Sequence, residues 1–358
     1  MTAFPISPEP FRIEPVFSER LWGSRSLAPL FPEMHDLNPR IGEAWLTGVD
    51  CRIANGPFTG QTLGKAWKEM TIEWRGAKFE GEANFPLLLK FIFPTDKLSI
   101  QVHPDDSYAA AHEATAGGRG KTEMWYVVSA ESGARLLAGL KPGATKKKFL
   151  FALADHSLED LLQSHEAHAG DTFFIPAGMP HTIGPGMVIC EVQEYSDLTY
   201  RIYDYDRRDA NGKPRELHIE KALDVLNFDS GAGGKVAPRP LLVRNKKVGE
   251  ILVDCPYFSA SMFEIGQRIH MRMVPKPSER FSLWVFLEGE GRIGWSSAPH
   301  GATGKNHADQ FSYKPGECWF IPAEFDSRGY YPNTKTRLLV ASPINTEKEL
   351  EKQSTDAK

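Results

Sequence analysis

A mainly β fold built from two related antiparallel barrels, with a few short helices, is predicted by three observations on this 358-residue chain. Short β-rich runs recur along most of its length. Turns bearing Gly and Pro separate them, and one strand-and-corner pattern occurs twice. The length is about twice that of a usual domain, so two compact units are expected. The 31 Gly and 26 Pro suit a turn-rich β protein without reaching low complexity, and 41% hydrophobic residues supply a sizeable core. Disorder, collagen and coiled coil are excluded. The 42 basic and 46 acidic residues balance at −4, with no basic excess to mark a nucleic-acid partner.

In chain order, the first strand set is Leu87–Phe93, Leu98–Val102, Met124–Val128, Thr172–Ile175, Val188–Val192 and Thr199–Tyr203. Helices are expected over Leu63–Met70, Lys146–Ala154 and Leu158–Ser164, the last opened by a capping box of Ser157 and Asp160. Glu216–Asn227 places Ile219, Leu223 and Leu226 on one helical face. Residues 229–240, DSGAGGKVAPRP, read as a surface linker, dividing the chain into units of residues 1–235 and 236–358. A second strand set follows at Phe258–Phe263, Ser282–Phe286, Cys318–Ile321 and Arg337–Ala341, and the polar tail after Asn345 reads as a surface helix or disorder. The repeated pattern is Gly170-DTFFI-Pro176-Ala177 against Gly316-ECWFI-Pro322-Ala323, an offset of 146 residues.

No stretch approaches the ~20 apolar residues of a membrane span; Phe85–Phe93 is short and carries Lys90. The N-terminus lacks a signal-peptide pattern, and the cysteines (Cys51, Cys190, Cys255, Cys318) form no paired motif, so a reducing cytoplasm is expected.

Three segments concentrate metal-binding side chains. Along Leu98–His103, strand alternation points Ser99, Gln101 and His103 one way and Leu98, Ile100 and Val102 the other. A polar row facing a barrel interior is costly unless it meets water, metal or ligand. Lys121 and Glu123 share a face at the mouth of a strand. The corner Gly170-x5-Pro176-Ala-Gly178-Met-Pro-His181 presents a histidine just after an apolar strand. Two imidazoles, a carboxylate and an amide oxygen suit zinc or another borderline divalent ion. Each residue alone has a structural explanation; the combination is what points to a ligand set. The other nine histidines, His156, His165, His168, His300 and His307 among them, read as surface. Arg201 by itself reads as an ion pair with Asp204 or Glu194.

Gly-x5-Pro-x-Gly-x2-His at Gly170–His181 resembles the second signature of the cupin barrels. The segments SIQVHPDD, GKTEMWY and LTYRIYDYDR, with IGEAW (Ile41–Trp45) and GKPRELHIEKALDVL, resemble the type I mannose-6-phosphate isomerases in their short bacterial form, over Leu21 to Asn227. That resemblance implies a cytoplasmic enzyme of carbohydrate metabolism with one Zn2+ per chain, or another divalent ion in its place. It matches Gln101, His103, Glu123 and His181 to metal ligands, Arg201 and Lys121 to catalytic residues, and Ser99 and Lys90 to the substrate pocket. Larger members carry a histidine where Gly120 stands, and a helical domain absent here. At the offset of 146, Ser327 replaces His181, so the second barrel is expected to hold no metal. The implied reaction interconverts mannose 6-phosphate and fructose 6-phosphate through a cis-enediol(ate), with Lys121 at depressed pKa, a metal-bound hydroxide or Glu191 as base. The partner is a small sugar phosphate, and the chain is a monomer or weak homo-oligomer. Alternatives are a non-catalytic sugar-binding or regulatory cupin, and another cupin metalloenzyme such as an iron dioxygenase.

Overall fold

The computed structural model describes residues 8–344 except 209–211, 229, 230, 232, 244, 267–278, 296–308, 325 and 326. A seven-stranded antiparallel sheet runs in the order Gly234–Val236, Thr172–Ile175, Glu123–Ala130, Met187–Glu194, Leu87–Ile92, Ile41–Trp45, Val16–Ser24. Its companion orders Tyr200–Tyr203, Ile100–Val102, His181–Ile183, Arg135–Leu140, Leu162–Glu166. A second seven-stranded sheet runs Phe11–Ile13, Cys318–Ile321, Ser282–Glu288, Thr336–Pro343, Phe258–Ile265, Lys246–Asp254, Arg239–Val243. Asp309–Tyr313, Gly291–Trp295 and Ser327–Pro332 form its three-stranded companion.

The repeat seen in sequence is a repeat of structure. Thr172–Ile175 and Cys318–Ile321 hold the same second place in their sheets, each entered through a glycine at positive φ, +94° at Gly170 and +83° at Gly316. His181–Ile183 and Ser327–Pro332 likewise hold matching places in the smaller sheets. The outermost strands cross over in sequence: Phe11–Ile13, from the start of the chain, completes the later sheet by pairing Phe11 with Phe320.

Alternation along each strand separates two cores. On Glu123–Ala130, Met124 and Tyr126 enter a cluster shared by both large sheets, with Cys190, Val192, Leu283, Phe320 and Leu339. Trp125 and Val127 face the other way, packing with Phe173, Ile175, Ile183 and Ile189 inside the first barrel. The shared core is aromatic. Phe11 and Phe281 both stack on Phe320 at 4.8 Å, and each fully buried Phe is worth about 1.5–3 kcal/mol.

The helices are short. Leu63–Glu69 and Lys146–Ala154 form as expected, with Thr62 and Thr145 accepting from the amides of Lys65 and Lys148. Ile219–Val225 packs Ile219, Ala222 and Leu223 inward. The expected helix over Leu158–Ser164 is corrected: Leu158–Leu161 is a single 3-10 turn, and Leu162–Glu166 is a strand paired with Arg135–Leu140. The Ser157 hydroxyl and amide both turn back to Asp155, so no capping box forms. The linker reading is corrected too. Gly234–Val236 pairs with Thr172–Ile175, and Arg239–Val243 with Lys246–Asp254, so sheet pairing overrides the Gly- and Pro-rich composition. The tail after Asn345, with His300 and His307, lies outside the described residues. Among the described residues no helix is long and apolar enough to cross a membrane.

Candidate metal centre

Three strands of the first barrel carry the expected ligands to one place. Pairing of His181–Ile183 with Ile100–Val102 sets His181 opposite Gln101, 80 residues away, with 3.2 Å between Gln101 Nε2 and His181 Nε2. His103 follows one residue past the same strand. Glu123, the first residue of its strand, faces them, its Oε1 3.3 Å from His103 Nε2 and its Oε2 3.8 Å from His181 Nε2. Among the described residues, His103, Glu123 and His181 form a group able to hold a metal ion, one ligand atom from each lying within 4.8 Å of the others. All three are fully buried.

The imidazoles are held ready to donate lone pairs. His103 Nδ1 bonds the Leu198 carbonyl and His181 Nδ1 the Met179 carbonyl, each at 2.8 Å, which places the proton on Nδ1 and leaves Nε2 facing the cluster. Burial pushes His103 down to about 3; Lys121 adds to the fall and Glu123 opposes it. Burial likewise lowers His181. Both are neutral at physiological pH, the form that ligates. His103 Nε2 and Glu123 Oε2 are buried with no hydrogen-bond partner, and Glu123 Oε1 has the Lys121 ammonium beside it; a cation among the three atoms would satisfy the two that are left over. The donor set therefore fits a divalent metal.

The two lysines sit deep in a net of carboxylates. Lys121 Nζ lies 3.0 Å from Glu123 Oε1. Lys90, paired across strands with Glu191 and Trp45, puts Nζ within 3.9 Å of Glu43, Glu191 and Asp197 and over the Trp45 ring. Burial alone would lower Lys121, but Glu123, Glu191 and Asp197 prevail and raise it. The expectation of a depressed lysine is thus reversed by its anionic surroundings. Glu191 accepts from Trp125 Nε1 at 2.9 Å, and burial, reinforced by Glu123, pushes its carboxyl up to about 7.

Ser99 is buried just before the Ile100–Val102 strand. Arg201 lies opposite Gln101 on the neighbouring strand and donates from Nη1 to the Glu216 carbonyl, while its Nε is buried without a hydrogen-bond partner. The ion pairs considered for Arg201 are not the ones formed: Asp204 is engaged by Arg207 and Arg215, and Glu194 by the Thr122 amide. Two histidines are not simple surface groups. His165 sits half-buried on a strand, and His218 Nδ1 accepts the Arg201 amide at 3.2 Å. Sequence reasoning missed Glu43, Trp45 and Asp197. Alternation in IGEAW puts Glu43 and Trp45 on one face, but only strand pairing shows that this face is the interior.

Fold and site together define a duplicated β-barrel protein whose first barrel holds, among the described residues, a candidate metal centre. The family described as "Phosphomannose isomerase type I, catalytic domain" matches residues 11–128. Mannose-6-phosphate isomerase ManA of Bacillus subtilis (strain 168) is 34% identical over 293 residues, 80% of this chain and 87% of that protein. The mannose-6-phosphate isomerase of Streptococcus mutans is 34% identical over 291 residues, covering 80% and 87%. The crystal structure of the Bacillus subtilis mannose 6-phosphate isomerase superposes with a TM-score of 0.77 at 28% identity, covering 93% of this chain and 99% of that one. A putative mannosephosphate isomerase from Archaeoglobus fulgidus shares the fold, with a TM-score of 0.70 at 19% identity over 96% and 100% of the two chains. This chain belongs to the type I phosphomannose isomerase family.

Proposed function

We propose that this chain is a metal-dependent aldose–ketose isomerase that interconverts mannose 6-phosphate and fructose 6-phosphate through a cis-enediol(ate). The observation that carries the reading is the buried His103–Glu123–His181 cluster, with His103 Nε2 and Glu123 Oε2 left without a hydrogen-bond partner, in a chain of this family. Gln101, His103, Glu123 and His181 would hold the ion, and two imidazoles with a carboxylate and an amide favour zinc. When bound, the ion supplies a Lewis acid that stabilises negative charge on the sugar oxygens.

The remaining chemistry falls to the side chains around it. The proton leaves C2 of the open-chain aldose and arrives at C1, while O2 loses a proton and O1 gains one. Glu191, with its carboxyl pushed up to about 7, is matched to carry a proton near neutral pH. Lys121, held protonated, donates toward the oxygen that becomes negative. Arg201 keeps an unpartnered Nε for the phosphate or the enediolate, a task for a permanent cation. Lys90 and Ser99 line the same interior. The same proposal assigns the site to a unit of residues 1–235 in a cytoplasmic protein, monomeric or weakly associated, with a metal-free companion unit of residues 236–358.

The test is formation of fructose 6-phosphate from mannose 6-phosphate, before and after chelation and after zinc is restored. Turnover lost to chelator and regained with zinc is expected. Absence of turnover in zinc-replete protein overturns the proposal, and saturable sugar binding without product would favour a binding protein.

A further inference from the structure

A carboxylate on the far side of the sheet grips the segment that carries Lys121 and Glu123. Glu194 ends the Met187–Glu194 strand, and by alternation it sits on the face of Cys190 and Val192, toward the second large sheet, whereas Glu191 faces the barrel interior. It is 6% exposed. Its Oε1 accepts the Thr122 amide at 2.7 Å, and its own amide donates to the Thr122 carbonyl at 3.2 Å. Thr122 is thus held at both its backbone polar groups, and it lies between Lys121 and Glu123.

The neighbouring backbone is anchored at its upstream end. The Lys121 amide donates to the Pro104 carbonyl at 3.0 Å, the Gly120 amide to Asp106 Oδ1 at 2.8 Å, and the Ser196 hydroxyl to the Arg119 carbonyl at 3.0 Å. The Glu194 and Asp106 contacts are both made by carboxylates, so their strength depends on charge, because an ionised acceptor binds an amide more tightly than a neutral one; of the two, only Glu194 holds the Thr122 peptide itself.

We propose that Glu194 is a positioning residue: by holding the Thr122 peptide from outside the barrel it sets where Lys121 and Glu123 stand inside it. The assignment of those two residues rests on the function proposed above; the hold on Thr122 does not.

The groups facing Glu194 from the packed elements are Asp106, Arg119, Tyr257 and Cys255. Burial pushes its carboxyl up to about 7, Asp106 adds to the rise, and the Thr122 hydrogen bond and Arg119 oppose it. Arg119 is itself paired with Glu82 at 2.6 Å, which limits that opposition. Near neutral pH the carboxyl therefore exchanges between two forms with different holds on Thr122. Tyr257 and Cys255 lie between the Lys246–Asp254 and Phe258–Ile265 strands, so the second barrel abuts this residue directly.

The experiment compares wild type, Glu194→Gln and Glu194→Ala as full-length protein. In metal-stripped samples the Thr122 amide resonance of the wild type should titrate with a midpoint near pH 7, and that titration should vanish in Glu194→Gln, which keeps an acceptor but cannot ionise. Loaded with Co2+ as probe, Glu194→Ala should bind the ion roughly tenfold more weakly and shift its visible absorption, with kcat falling about tenfold while KM stays within about twofold. Persistence of the titration in Glu194→Gln overturns the proposal. So does a folded Glu194→Ala protein with wild-type cobalt affinity and spectrum. If Glu194→Ala does not fold, the Glu194→Gln titration decides alone. A wild-type protein inert toward mannose 6-phosphate would sink the isomerase reading and leave the Thr122 titration to judge Glu194.

Discussion

Replacing Glu123 by Gln removes a charge from a position that is 1% exposed while keeping its shape. The lost partner is Lys121 Nζ at 3.0 Å, a separation worth about 5.5 kcal/mol at an effective dielectric of about 20. Glu191 and Asp197 remain as further counter-charges, so the expected cost in metal-free protein is about 3–5 kcal/mol, the range for breaking a buried pair. Urea unfolding of metal-stripped protein, followed by tryptophan fluorescence, reads this as a lowered midpoint. Adding Lys121→Gln should recover most of the loss, because no buried ammonium is then left without its nearest counter-charge. The charge also has a pH signature. Burial alone would raise the Glu123 carboxyl, but the Lys121 ammonium prevails and holds it well below 4.5. Its stabilisation is therefore present above 4.5 and fades as pH falls through the lower native value, a loss Glu123→Gln should not show. In metal-replete protein the variant should lose at least about 100-fold in metal affinity, and turnover with it. A metal-free Glu123→Gln protein with a wild-type midpoint, or a double variant no more stable than the single one, would refute the reasoning.

Arg201→Ala should abolish turnover with metal content unchanged by elemental analysis, because no proposed ligand depends on its side chain; loss of metal would contradict the role. On its acid side, kcat/KM should rise with pH through about 7 as Glu191 ionises. Glu191→Gln should flatten that limb and cost about 100-fold in kcat with metal retained. At Gly120 a Cβ would stand 2.6 Å from the Asp106 amide nitrogen and 2.7 Å from the Asp105 carbonyl carbon. Gly120→Ala should therefore lower stability by about 1–3 kcal/mol in thermal unfolding and reduce kcat by displacing Lys121; a neutral substitution would show that this segment yields.

How far the sequence could be read follows from the range of the forces involved. Short apolar runs such as Thr172–Ile175 and Cys318–Ile321 came through with their boundaries intact, because β-rich composition and the turn glycine before each run act over a few residues. The strand at Leu162–Glu166 did not, since its identity comes from an edge pairing with Arg135–Leu140. The same holds for Gly234–Val236, whose composition reads as a loop until Phe174 pairs with Gly234. Within the site, Gln101, His103, Glu123 and His181 were legible as ligand types on favourable faces. The cage around Lys90 was not, because Glu43, Glu191 and Asp197 come from separate parts of the chain.

The order of residues alone determined a repeated β architecture and, through the family resemblance, the side chains that gather at its centre. Tertiary structure decided their chemical states. Burial makes the two imidazoles neutral, packed carboxylates keep Lys121 charged against the cost of its burial, and the same burial lifts Glu191 to about 7. Those states depend on how much water is excluded and which charges stand a few ångströms away. Such distances are set by strand register between residues as far apart as Gln101 and His181, which no local pattern encodes.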